Sequence, residues 1–168
     1  MTRLSLRQTV FVLSLCCLSM QATAQDHSSH ARASEPASPS PLSIPLDAET
    51  RAALPRVAVS ATAHGKTLDC EGVGLSDLLR KANGLPAELR GPALASYVLV
   101  SARDGYRVVY SLAELDTSLG KRQVVLADQC NGQPLTDEEG PLRLIAADEL
   151  RPARWVRQVQ SITVVRAP

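Results

Sequence analysis

Four turn signals, His64-Gly65, Asn83-Gly84, Asp104-Gly105 and Asn131-Gly132, cut the C-terminal part of this chain into brief segments. Glycine, and to a lesser degree asparagine, adopts positive φ at little cost, so such pairs reverse the chain or end a helix. Segments of this length hold strands and single helical turns better than long helices. Arg56 to Ala63 alternates Val57, Val59 and Ala61 against Ala58, Ser60 and Thr62, which predicts a strand. Further strands are expected through Leu68 and Cys70, over Tyr97 to Ala102 and Arg107 to Tyr110, then over Val124 to Ala127, Leu142 to Ala146 and Val156 to Val165.

One helix is clear. Leu75, Leu78, Leu79 and Ala82 follow Gly72-Val73-Gly74 on a single face, with Ser76 or the preceding turn as cap and Asn83-Gly84 and Pro86 as stop. Ser111 is positioned to cap one further turn, Leu112 to Leu115. No repeat is present, and no βαβ periodicity. The fold class expected is α+β, mostly short strands with one clear helix.

The N-terminus has the layout of a secretory signal. Arg3 and Arg7 precede the apolar run Thr9 to Met20, and Ala22-Thr23-Ala24 offers a small-residue cleavage site before Gln25. The run is shorter than the ~20 apolar residues a membrane-spanning helix needs. Leu15 before Cys16, and Cys16 before Cys17, are not the small residues a lipid-attachment site favours. Residues 1–24 are therefore expected to be a cleaved signal peptide, which implies a periplasmic or secreted protein with no stable membrane insertion afterwards. Residues 25–53 are rich in Ser, Ala and Pro, including Pro36, Pro39, Pro41 and Pro45, and are expected to be a disordered arm. His27 and His30 inside it read as a solvated pair. The folded domain is expected over 54–168.

Cleavage would take two of the 18 basic residues and no acidic ones, leaving 16 against 17. Near neutrality argues against a nucleic-acid or anionic-membrane partner. Phe11 would leave with the signal, and Tyr97, Tyr106, Tyr110 and Trp155 are too few for a base-stacking surface. Of the aromatics, Tyr106 and Tyr110 are expected in the core with Val108, and Trp155 as a packing anchor. Two cysteines would remain, Cys70 and Cys130. In an oxidising compartment such a pair is bridged more often than free, although spacing alone leaves both states open. Neither has a Cys-x-x-Cys partner or a nearby histidine, so metal ligation by the pair is not expected.

The segment Gly140 to Arg157 carries the densest chemistry. Arg143 sits within an apolar strand, opposite in direction to Leu142 and Leu144, and a turn follows it. Arg154 and Arg157 flank Trp155-Val156 and would lie one helical turn apart if that stretch were helical. Three guanidinium groups converging on one point would suit a phosphate or another small anion. The alternative is that they pair with Asp128, Glu138, Glu139, Asp148 or Glu149 on a solvated surface.

Glu71-Gly72-Val73-Gly74-Leu75-Ser76-Asp77-Leu78-Leu79, Asp104-Gly105-Tyr106, Leu126-Ala127-Asp128, Gly132-Gln133-Pro134-Leu135, Gly140-Pro141-Leu142-Arg143-Leu144 and Arg154-Trp155-Val156-Arg157 occur in an order and spacing that resembles the molybdopterin-binding oxidoreductase domain family, whose fold is that of the sulfite oxidase catalytic domain. The resemblance runs from about Val57 to Val165. It implies that Arg143, Arg154 and Arg157 lie near a pterin and its phosphate, and that molybdopterin is the cofactor to consider. Enzymes of the family hold molybdenum through a cysteine thiolate, well ahead of the Gly-x-x-Leu-x-x-Leu-Leu helix. Here Cys70 falls only two residues before Gly72, and the region for the ligand is shortened to Ala63-His64-Gly65-Lys66-Thr67. Ala147 stands where the family commonly has proline, and the arm stands where full enzymes have a large N-terminal region.

Cys70 is accordingly expected to be structural, with no metal ligand among the site residues and no catalytic set assembled from the three histidines. Two functions remain: a metal-free domain that binds a small anion or a periplasmic protein partner, or a periplasmic molybdopterin-dependent oxidoreductase or electron-transfer protein.

Overall fold

The computed structural model describes residues 40–166. The expected signal peptide, residues 25–39 of the expected arm with His27 and His30, and Cys16 and Cys17 lie outside the described residues. The last part of the expected arm is folded, which corrects the boundary at residue 54. Strand β1 (Leu42–Ser43) pairs with the last strand of the chain, and helix α1 (Ala48–Ala52) follows. Ile44 is 3% exposed, its N–H donates to Ile162 O, and Asp47 caps α1 by accepting from Thr50 N–H. Leu42, Ile44 and Leu46 alternate through this Pro-bearing stretch, and that pattern outweighs its polar composition.

Strands β2 (Arg56–Ala63) and β3 (Lys66–Gly74) form a hairpin about His64-Gly65, whose φ values of 51° and 75° fit a tight two-residue turn. Helix α2 (Leu75–Lys81) buries Leu75, Leu78 and Leu79 completely and takes Gly74 as its N-cap. Asn83, at φ 57°, ends it, and Gly84 N–H returns to Leu79 O. Strands β4 (Tyr97–Ala102) and β5 (Arg107–Ser111) pair about Asp104-Gly105, and Tyr106 N–H donates to the Asp104 carboxylate. Ser111 and Glu114 form a reciprocal capping box on α3 (Leu112–Leu115). Strands β6 (Val124–Cys130), β7 (Gln133–Pro134), β8 (Arg143–Ala146) and β9 (Val159–Val165) complete the chain.

These strands make two antiparallel sheets, one ordered β1-β9-β4-β5 and one ordered β2-β3-β6-β7, with β8 also pairing β6. One core lies among them. Val98, Val100 and Ile162 come from the first sheet, Val73, Leu126 and Leu144 from the second, and Leu78 from α2. This is the expected α+β class. Among the described residues no helix is long and apolar enough to cross a membrane.

Strand β6 gathers the long-range ties. Its register with β3 sets Cys70 directly opposite Cys130, and the two are bridged. A bulge follows between Glu71 and Gly72, where a Cβ on residue 72 would strike the Leu126 carbonyl and the Ala127 backbone, so only glycine fits. Asp128 accepts from Arg51 of α1 at 2.6 Å and from both terminal nitrogens of Arg56 of β2 at 2.9 and 2.7 Å. The Arg56 hydrogen bonds, then its charge and that of Arg51, hold the Asp128 carboxyl below its ordinary value against the opposing effect of burial.

Two outcomes are expected. Thiol titration of the unfolded, unreduced protein should find no free thiol at Cys70 or Cys130, and reduction should cost about 4 kcal/mol on the chain-entropy account of a loop this long. Asp128→Asn should lose about 1 kcal/mol at pH 7 after allowance for solvent screening. Because the native carboxyl lies below an unfolded value of about 3.9, its contribution is complete above about pH 5 and is lost as the pH falls through the native value. Urea unfolding at pH 7 and pH 3 should therefore separate the two proteins at the higher pH and show a smaller difference at the lower.

Candidate functional site

Residues 155–158 cross from one sheet to the other. Leu144 of β8 and Val156 exchange both backbone hydrogen bonds, Val159 N–H donates to Leu142 O, and Gln158 O accepts from Arg103 N–H at the end of β4. Gln158 makes the bend at φ 48°. A cleft of about 830 Å³ opens beside this crossing, within the range of small-molecule sites. It is walled by the β2–β3 turn, the β4–β5 hairpin, the segment from Glu138 to Arg143 and the segment from Pro152 to Gln158.

Its deepest charge is Arg143, the first residue of β8, with a side chain 11% exposed between buried Leu142 and Leu144. Burial pushes its guanidinium below the usual arginine value, Glu139 opposes that shift, and the like charge of Arg157 adds to it. Nη1 donates to the Glu139 carboxylate, while Nε is buried with no partner among the described residues. Arg157 lies nearer the rim, 62% exposed, with Nη1 3.7 Å from the other Glu139 oxygen. Lys66, delivered by the His64-Gly65 turn, adds a third cation. Tyr106, Pro152 and Trp155 also line the cleft. Trp155 is 7% exposed with its indole N–H on Ala146 O, the expected packing anchor, while also meeting the cleft.

Tyr106 departs from expectation. It shares strand parity with Val108 and Tyr110 but stands at the hairpin end, beyond the core, and is 49% exposed with its hydroxyl donating to Ala153 O. Tyr110 is buried as expected, its hydroxyl on Arg154 O, and burial raises its pKa well above that of a free tyrosine.

Arg143 and Arg157 meet in the cleft, and Arg154 does not join them. The helical stretch around Arg154 is a three-residue 3₁₀ turn, Pro152–Arg154, and Trp155 is already extended. Arg154 and Arg157 accordingly have no ion-pair partner in common among the described residues. The Arg154 guanidinium lies 4.2 Å from the Tyr110 ring centroid, donates to Val109 O at 2.9 Å, and pairs with Glu114 and Glu149. Burial works against its charge, but the hydrogen bonds of Glu114 and then Glu149 outweigh it and hold the guanidinium above the usual value. Arg122 joins the same carboxylates. The convergence of three arginines is thus corrected to two, with Lys66 lining the same cleft.

The sequence reading also missed Lys66, Tyr106 and Gln158 as cleft residues and named Glu139 only as one surface partner among several. Lys66 was legible from the two-residue turn, whereas the roles of Glu139 and Gln158 depend on the crossing at 155–158. Among the described residues no group of three or more His, Cys, Asp or Glu side chains is arranged to hold a metal ion.

The family described as oxidoreductase molybdopterin binding domain matches residues 48–168 of the chain. No curated protein matches it.

Arg154→Ala should destabilise the protein by about 2 kcal/mol, from lost charge-assisted hydrogen bonds and the cation–π contact. Denaturant unfolding measures it, and a loss below about 0.5 kcal/mol would contradict the structural role.

Proposed function

The chain belongs to the oxidoreductase molybdopterin-binding domain family, and from that premise we propose that it is a secreted member, exported by a signal peptide cleaved near Ala24, that works without molybdenum. Its cleft binds a small anion, free or carried by a periplasmic protein partner. The observation that supports this reading most is the Arg143 guanidinium, withdrawn from water beside Arg157 with its Nε unpartnered among the described residues. A buried donor without an acceptor carries a desolvation penalty that an incoming oxyanion removes.

The two halves of a molybdenum cofactor fit these residues differently. Its phosphate asks for cations, which the largely buried Arg143 and the more exposed Arg157 and Lys66 offer. The metal asks for a soft thiolate, as the family resemblance implies, and Cys70 and Cys130 are consumed in their bridge, Cys70 being 1% exposed. The metal therefore does not fit the described donors. The second reading, a periplasmic molybdopterin-dependent oxidoreductase or electron-transfer protein, draws support from the size of the cleft and from the presence of Tyr106 and Trp155 in the same lining as Arg143 and Arg157.

Calorimetric titration with inorganic phosphate tests the anion site. The double variant Arg143→Gln, Arg157→Gln should bind at least about tenfold more weakly than the parent protein, the cost of one or more charge-assisted hydrogen bonds. Equal affinity would remove both arginines from any anion site. Elemental analysis of the folded protein from its native periplasm should find no molybdenum, and a stoichiometric amount would overturn the metal-free reading.

A further inference from the structure

Glu139 reaches both arginines of the cleft. One carboxylate oxygen accepts from Arg143 Nη1 and the other lies 3.7 Å from Arg157 Nη1. Its backbone is fixed on both sides: Glu139 N–H donates to Thr136 O at 3.0 Å, and Glu139 O accepts from Gln158 N–H at 3.0 Å. Gln158 is itself held by its side-chain amide on Asp137 O at 2.6 Å and by Arg103 N–H on its carbonyl. The loop thus aims the Glu139 side chain at the two guanidinium groups.

We infer that Glu139 sets the threshold an anion must clear to enter the cleft: in the free protein its carboxylate holds the ground between Arg143 and Arg157 that the ligand's anionic group takes in the complex. The inference rests on the anion-binding reading above and gives it a ligand class. Binding becomes an exchange, in which an external oxyanion replaces a carboxylate supplied by the protein. Glu139 competes at the high effective concentration of a tethered group, so a singly charged carboxylate from solution gains almost nothing by replacing it. A doubly charged tetrahedral oxyanion brings more charge to both guanidinium groups and enough oxygens to serve the unpartnered Arg143 Nε as well. The class selected is phosphate, phosphate monoester or sulfate, against acetate and similar monoanions.

Glu139→Gln removes the competing charge and keeps a carbonyl oxygen for Arg143 Nη1. Titration of the full mature protein with inorganic phosphate should give an affinity at least tenfold higher for this variant than for the parent, and acetate binding should strengthen in the same direction. An affinity within twofold of the parent, with phosphate bound by both, overturns the role of Glu139 and leaves the anion site standing. Phosphate bound by neither protein overturns both. Glu139→Ala provides a second variant with the same expected direction. Carbon-13 NMR of the parent protein decides the matter even if neither variant folds: the Glu139 carboxyl signal should move as phosphate saturates the protein, and an unmoved signal overturns the exchange.

Discussion

A guanidinium withdrawn from water at the start of a β-strand sets the terms for the surface around it. Removing a cation from water costs several kcal/mol unless partners replace the lost hydration. Arg143 has one such partner, the Glu139 carboxylate on Nη1, while Arg157 adds like charge nearby and Nε has no acceptor among the described residues. The compensation is incomplete, and it is incomplete at the wall of a cleft large enough for a small ligand.

The fold keeps Arg143 in that position. It stands on β8, whose register with β6 sets it opposite Ala127, one residue from the Asp128 clamp and three from the bridged Cys130. The same β6 is tied to β3 by the bridge and the close approach at Gly72, and to α1 and β2 by Asp128. On the other side of the crossing, Arg154 does a different task, joining α3 to the Pro152–Arg154 turn through Glu114, Glu149 and Tyr110. Two arginines three residues apart are thus divided by one change of backbone, from 3₁₀ to extended at Trp155, into a structural group and a cleft group.

Much of the fold was legible because local chemistry and final structure agree. The strand at Arg56–Ala63, the capped turn at Leu112–Leu115 and the hairpin at Asp104-Gly105 follow from alternation, a serine cap and turn residues. The family, too, was legible, from short motifs in order. The start of the domain was not, since Pro41 and Pro45 disguise an alternation whose partner strand lies at the far end of the chain. The site was half legible. Arg143 follows from strand parity and Arg157 from the family resemblance, but pairing Arg154 with Arg157 assumed helical periodicity, and the helical stretch ends at Arg154. Glu139 could not be singled out, because its aim is set by Gln158, through a bend that sequence does not announce.

The central claim is that Arg143, and not Arg154, receives an oxyanion from solution. Nitrogen-15 NMR of the arginine Nε–H groups during a phosphate titration of the mature protein tests it most directly. The Arg143 signal should shift along a saturating curve while that of Arg154 stays in place. An Arg143 signal unmoved at high phosphate, or a saturating shift at Arg154 instead, would contradict the account.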